Sequence, residues 1–153
     1  MALGTRNTPV RNSALLSGLA IQKGVTVSNV LTTGGGVETM TAAEVLTGLL
    51  VADTQDAQTW TTPTAALLNA AIPGIEVGNF IEFTVVNYGD STLTIGLGTG
   101  VTRTTIATKV GSLAIATLTA HRYRLECTGV LANGSTADAW VIWNVGLSLA
   151  VAV

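Results

Sequence analysis

Charge is what this sequence has least of. Asp, Glu, Lys and Arg together make up 10% of its 153 residues, against about 25% in an ordinary soluble domain. The seven basic residues are scattered, and Arg122 and Arg124 are the nearest approach to a cluster. A nucleic-acid groove needs several phosphate-neutralising side chains on one face, so no direct nucleic-acid partner is expected. The single cysteine, Cys127, excludes an internal disulfide. It lies in an alternating segment, where a thiol serves as a small buried hydrophobe. The single histidine, His121, has only distant, scattered acids and nucleophiles around it in sequence, and reads as a rim or partly buried structural residue. One His and one Cys do not make a standard zinc site, and no acidic run has calcium-loop spacing. The expectation from these residues is a protein with no catalytic site and no metal site within one chain, with an interface metal built by threefold symmetry from one ligand per chain left open. Long apolar runs are missing too. ALLSGLAI, residues 14–21, is too short to span a bilayer, so no membrane partner is expected and the segment reads as part of a retained N-terminal arm.

What is present is apolar or neutral. Hydrophobic residues make up 48% of the chain, and threonine, glycine and other small residues stand where charge normally would. Two surfaces suit such a composition: a neutral polar one, or one covered by partner subunits, where charge is depleted. Open apolar area on a monomer is an aggregation hazard, which favours assembly. The apolar C-terminus, GLSLAVAV, reads as a strand pinned in an interface.

The length suits one domain plus an arm. Residues 1–36 form the expected arm or linker, with one short strand at 25–31 and a chain break at the three glycines 34–36. Residues 37–153 form the expected β-rich domain. Thr41 with Glu44 has capping-box spacing for a single helical turn. From residue 78 the pattern has period two. Ile81, Phe83 and Val85 lie on one face of NFIEFTVVNY, which makes that the core face. GD at 89–90, GLGTG at 96–100 and NGST at 133–136 mark turns. GLGTG lacks the Gly-Lys-Ser/Thr ending of a phosphate loop. The segment 112–129 is too long for one ordinary strand and is expected to bend or bulge. The fold class is therefore mainly β: an antiparallel sandwich or jelly-roll-like knob with one short helix and an extended N-terminal arm.

That helix lies in TWTTPTAALLNAAIPG, residues 59–74. Thr62 is a cap candidate, Pro63 suits the first helical position, and Pro73 with Gly74 ends the run. It carries no charge and little polar face, so cover from more than one side is expected. Trp140 and Trp143 fall on opposite faces of the last long strand, one for the core and the other for helix burial, an interface or a sugar platform, core or interface being favoured.

Residues 40–102 carry a likeness in the order of their pieces. A TAAEVLTG block at 41–48 precedes TPTAALLNAAIPG at 62–74, then GNFIEFTVVN, then TLTIGLGTGVT at 92–102. The chain resembles the β-rich trimeric structural proteins of tailed-bacteriophage virions, namely capsid decoration or cement proteins and related head or tail fibre domains. The resemblance implies no catalysis and no cofactor. It implies a homotrimer on the outer capsid surface, with the major capsid protein as partner, or else a fibre domain for host-surface or carbohydrate binding. Under that reading Trp60, Leu67, Leu68, Ile72 and Trp143 are the expected trimer contacts. Arg6, Arg11 and Lys23 in the arm are the expected capsid contacts.

Overall fold

The computed structural model describes residues 28–30, 36–103, 112–146 and 149–150, and these are mainly β. The strands are β1 (Ser28–Val30), β2 (Gly36–Thr39), β3 (Leu49–Ala52), β4 (Gln58–Thr61), β5 (Phe80–Asn87), β6 (Leu93–Gly96), β7 (Val101–Arg103), β8 (Ala114–Ile115), β9 (Thr119–Gly129), β10 (Ala139–Asn144) and β11 (Leu149–Ala150). Two short helices, α1 (Ala42–Leu46) and α2 (Ala65–Ala71), and a 3-10 turn (Leu131–Asn133) stand between them. α1 is the helical turn expected at Thr41, leading into β3, and α2 is the helix expected within residues 59–74. None of the described helices is long and apolar enough to cross a membrane.

From β1 to β9 successive strands change sheets. β1, β3 and β5 lie in a first sheet of order β1-β3-β5-β9-β10-β7, with β11 also on β9; β2, β4 and β6 lie in a second, of order β2-β4-β6-β8. Among β1 to β6 the chain re-enters each sheet from the same end after every crossing, and neighbours there run parallel. Ser28 accordingly pairs with Leu50 and Leu49 with Thr84, both parallel, while β2, β4 and β6 are parallel through Gly36–Gln58 and Gln58–Leu93. Antiparallel pairing joins β5 to β9, β9 to β10 and to β11, and β6 to β8. This corrects the expected all-antiparallel arrangement: both sheets are mixed. The short N-terminal strand, placed by sequence in an arm, is β1 and belongs to the first sheet.

Period-two alternation in β5 puts Phe83, Val85 and Asn87 on the buried face, as the sequence requires through Val85. Both sheets feed one core, in which Trp60, Ile95 and Ile115 of the second join Leu50, Phe83 and Leu125 of the first. Each such side chain contributes about 1.5–3 kcal/mol on leaving water. Asn87 continues the core face as a polar residue and is fully partnered. Its Oδ1 accepts from the Thr54 hydroxyl at 2.9 Å, and its Nδ2 donates to the Ser91 carbonyl at 2.8 Å and the Ile115 carbonyl at 3.1 Å.

The local signals resolve one by one. α1 has its full capping box: Glu44 N–H donates to Thr41 Oγ1 at 3.2 Å and Thr41 N–H donates to Glu44 Oε2 at 2.7 Å. The segment 112–129 breaks into β8 and β9, in different sheets, across Leu118 at φ 54. After β9 the 3-10 turn ends on Gly134, whose φ of 89 is the left-handed region that glycine enters without Cβ strain.

Candidate assembly surface

α2 is held by neighbours on one side and bare on the other. Its N-cap is Thr64, whose hydroxyl accepts from Leu67 N–H at 3.3 Å. The expected cap, Thr62, is engaged elsewhere: its hydroxyl accepts from Gly98 N–H at 2.9 Å, and Ala65 N–H donates to the Thr99 carbonyl at 2.9 Å. The GLGTG bend is therefore the seat of this helix. A Cβ on Gly98 would lie 2.4 Å from the Thr62 carbonyl oxygen, and one on Gly100 only 2.7 Å from Ala65 Cβ, so glycine is what lets the two backbones approach.

Ala65 and Leu68 pack into the core, and Asn69 anchors the next turn. Its Nδ2 donates to Asp138 Oδ1 at 2.7 Å and to the Gly129 carbonyl at 3.2 Å, while its Oδ1 accepts from Trp140 Nε1–H at 2.6 Å. The Cys127 sulfur lies 4.0 Å from the same oxygen, and burial pushes its thiol pKa up. Cys127 is buried, as the sequence implied. Asp138 Oδ1 also accepts from Leu131 N–H at 2.9 Å, and Asn133 Nδ2 donates to the Ile75 carbonyl at 3.1 Å. These bonds bring α2, the loop after it and the 3-10 turn to one end of the domain.

That end is apolar. Ala66, Leu67, Ala70 and Ala71 form the outer face of α2 and are all exposed. Leu67 is 56% exposed, Val77 60% and Leu131 58%. The helix itself carries no charge.

The five side chains expected at a trimer contact are not gathered there. Trp60 and Leu68 are 1% and 0% exposed. Both fill the chain's own core, so neither reaches a partner from this surface. Ile72 is partly buried against the same core. Trp143 is half-buried on the face of β10 opposite Trp140, across the strand pair from Arg124. Leu67 alone of the five stands well exposed on α2. Arg6, Arg11 and Lys23 lie outside the described residues. The sequence reading missed Asn69, although a lone amide in an Ala-Leu helix is a visible departure, and it missed the reach of Asp138 across two elements.

Titratable groups elsewhere serve the sheet. Glu82 on β5 takes Arg124 Nη2 at 2.7 Å and also pairs with Arg122, and the Arg124 guanidinium stacks 4.1 Å above the centre of the Phe80 ring. His121 is buried on β9; its Nδ1 lies 3.0 Å from Asn144 Nδ2 and 3.3 Å from the Tyr123 hydroxyl. Asn144 Nδ2 also donates to the Ser112 carbonyl, and Asn144 Oδ1 accepts from Gly146 N–H. The amide orientation is thereby fixed, Nδ1 of the ring must accept, and the ring proton sits on Nε2. Among the described residues no three His, Cys, Asp or Glu side chains are placed to hold a metal. Comparison with protein-family models, curated proteins and solved structures found no match for this chain.

Proposed function

We propose that this chain is a non-enzymatic structural protein of a tailed-bacteriophage virion, a capsid decoration protein. It acts as a homotrimer, a sandwich-like knob seated on the outer capsid surface, where it bridges and stabilises neighbouring capsid subunits. The observation that carries the reading is the set of exposed apolar side chains on and beside the uncharged α2, namely Leu67, Val77, Leu131 and the helix alanines. A patch of that kind is an association surface in a protein that stays dispersed. It supports self-association, and the resemblance of residues 40–102 supplies the setting.

The reading makes two measurable claims. Sedimentation equilibrium of the full chain should give a trimer mass, and L67D should shift it toward monomer with the thermal transition nearly unchanged. A monomeric wild-type chain would sink the trimer. Added to purified phage shells stripped of their decoration, the full chain should bind the outer surface. A chain lacking residues 1–27, which retains β1, should remain trimeric and lose that binding. Undiminished binding by the truncated chain would remove Arg6, Arg11 and Lys23 from the contact.

A head or tail fibre domain is the second reading. It is favoured by the parallel stacking of β1, β3, β5 and of β2, β4, β6, a winding that a longer shaft could continue. Labelled protein that binds host cells and ignores shells would favour it.

A further inference from the structure

Eight asparagines occur in the chain, and one of them, Asn133, is followed by glycine. The others precede Thr8, Ser13, Val30, Ala70, Phe80, Tyr88 and Val145. The Asn133–Gly134 pair falls where the 3-10 turn ends.

Three observations set Asn133 apart. Its side chain is exposed, whereas those of Asn69, Asn79, Asn87 and Asn144 are partly or fully buried. The residue after it has no side chain to screen the backbone nitrogen, and a Cβ placed on Gly134 meets nothing within 4 Å, so the pair stands in open space. The turn itself is a three-residue 3-10 element, with the poorer hydrogen-bond geometry of that helix. It is closed by Asn133 N–H to the Val130 carbonyl at 3.1 Å and Gly134 N–H to the Leu131 carbonyl at 3.2 Å. Exposed turns of this size open locally far more often than the core does. Release of the Gly134 bond presents a backbone nitrogen to the amide carbon of the preceding side chain. Asn69, Asn87 and Asn144 differ, because hydrogen bonds hold both the oxygen and the nitrogen of each amide.

We infer that Asn133 is a self-modification site, at which the Gly134 nitrogen displaces the side-chain amide and cuts the tie between the 3-10 turn and the loop after α2. Gly134 N attacks Asn133 Cγ, and the new N–Cγ bond closes a cyclic succinimide. The Cγ–Nδ2 bond breaks, and the proton given up by Gly134 leaves with that nitrogen as ammonia. Water then opens the ring at either carbonyl, giving aspartate or isoaspartate with no change of oxidation state. The product is an acceptor where Asn133 Nδ2 now donates to the Ile75 carbonyl at 3.1 Å, so that bond is lost. A negative charge also arrives beside Leu131, which is 58% exposed. One consequence rests on the association surface proposed above: a carboxylate there opposes burial of Leu131 against a partner, so converted chains assemble less.

The test incubates the full chain in mildly alkaline buffer, folded and in parallel unfolded in urea, and follows every asparagine by mass-resolved peptide mapping. In the folded chain Asn133 should convert first, to a mixture of aspartate and isoaspartate, while the seven others lag. N133Q and G134A should lose this early conversion. Conversion in urea alone would overturn the inference, because the folded turn would then protect the pair. A folded chain in which another asparagine converts first would overturn it as well. Converted chain and N133D should share a melting temperature below that of fresh chain, and an unchanged melt would show that the Ile75 tie is not cut. In sedimentation, converted chain should be less associated than N133Q treated alike, and equal association would remove the effect on assembly. Monomer in both samples would count against the association surface alone, since the peptide map decides the chemistry by itself.

Discussion

Trp140 donates its indole N–H to Asn69 Oδ1 across 2.6 Å, tying β10 to α2 at the point where the apolar end begins. The same amide donates to Asp138 and to the Gly129 carbonyl, so one side chain joins the helix to both long C-terminal strands' ends. Removing it strands a buried indole donor and frees a carboxylate. N69A should therefore lower stability by about 2 to 4 kcal/mol, read as a drop in the urea midpoint at constant slope. A loss under about 0.5 kcal/mol, the range of ordinary surface substitutions, would show that water replaces the amide.

Two glycines should respond to alanine for different reasons. At Gly98 the added methyl would meet the Thr62 and Pro63 carbonyl oxygens at 2.4 and 2.7 Å. G98A should cost about 3 kcal/mol or more and dislodge the start of α2. At Gly134 the space is open and only the positive φ objects, so G134A should cost about 1 to 2 kcal/mol. Thermal melts of the two variants should fall in that order.

Acid should weaken the fold in two separable steps, and His121 governs the first. Burial lowers its pKa from the ordinary 6.5, opposed by a backbone hydrogen bond at Ser112. Between the two values the unfolded chain holds more protons than the folded one, so stability falls as pH drops below about 7 and levels off beneath the depressed value. Protonated Nδ1 could no longer accept from Asn144. H121Q should flatten the stability profile across this window.

Glu82 governs the second step. Burial works to raise its pKa, but the hydrogen bonds and charges of Arg124 and Arg122 outweigh it and hold the carboxyl below its ordinary 4.5. A depressed acid stabilises the fold fully above 4.5 and loses that contribution as pH falls through the folded value. E82Q should be less stable than wild type at neutral pH, and the two denaturation curves should converge in strong acid. Parallel curves down to about pH 2, well beneath ordinary carboxyl values, would show that the arginines contribute nothing through Glu82.

How much of this was legible in the sequence depends on range. The capping box at Thr41 and Glu44, the core face of β5, the break within 112–129 and the turn at Gly134 are written in neighbouring residues, and each is present. Strand direction was not legible, because alternation looks the same in parallel and antiparallel pairs. What sets direction among β1 to β6 is the end at which the chain re-enters each sheet after crossing, and no local pattern records it. Trp60 misled for a related reason. A four-residue strand, QTWT, does not declare which of its faces is the core. Thr62 was a sound cap by type, yet Gly98, far along the chain, claims its hydroxyl. Asn69 was hidden because its role depends on partners that topology brings to it.

The crossing pattern also bears on how the molecule comes into being. Leu49 finds Thr84 and Gln58 finds Leu93 only after long intervening stretches have emerged, and such non-local closure slows folding. β5 gains its second neighbour only when β9 arrives. On the ribosome, then, the first half of the chain would wait with an unsealed sheet until residues 119–129 were made. A nascent chain truncated before that strand should stay protease-sensitive, and release of the complete strand should bring protection abruptly.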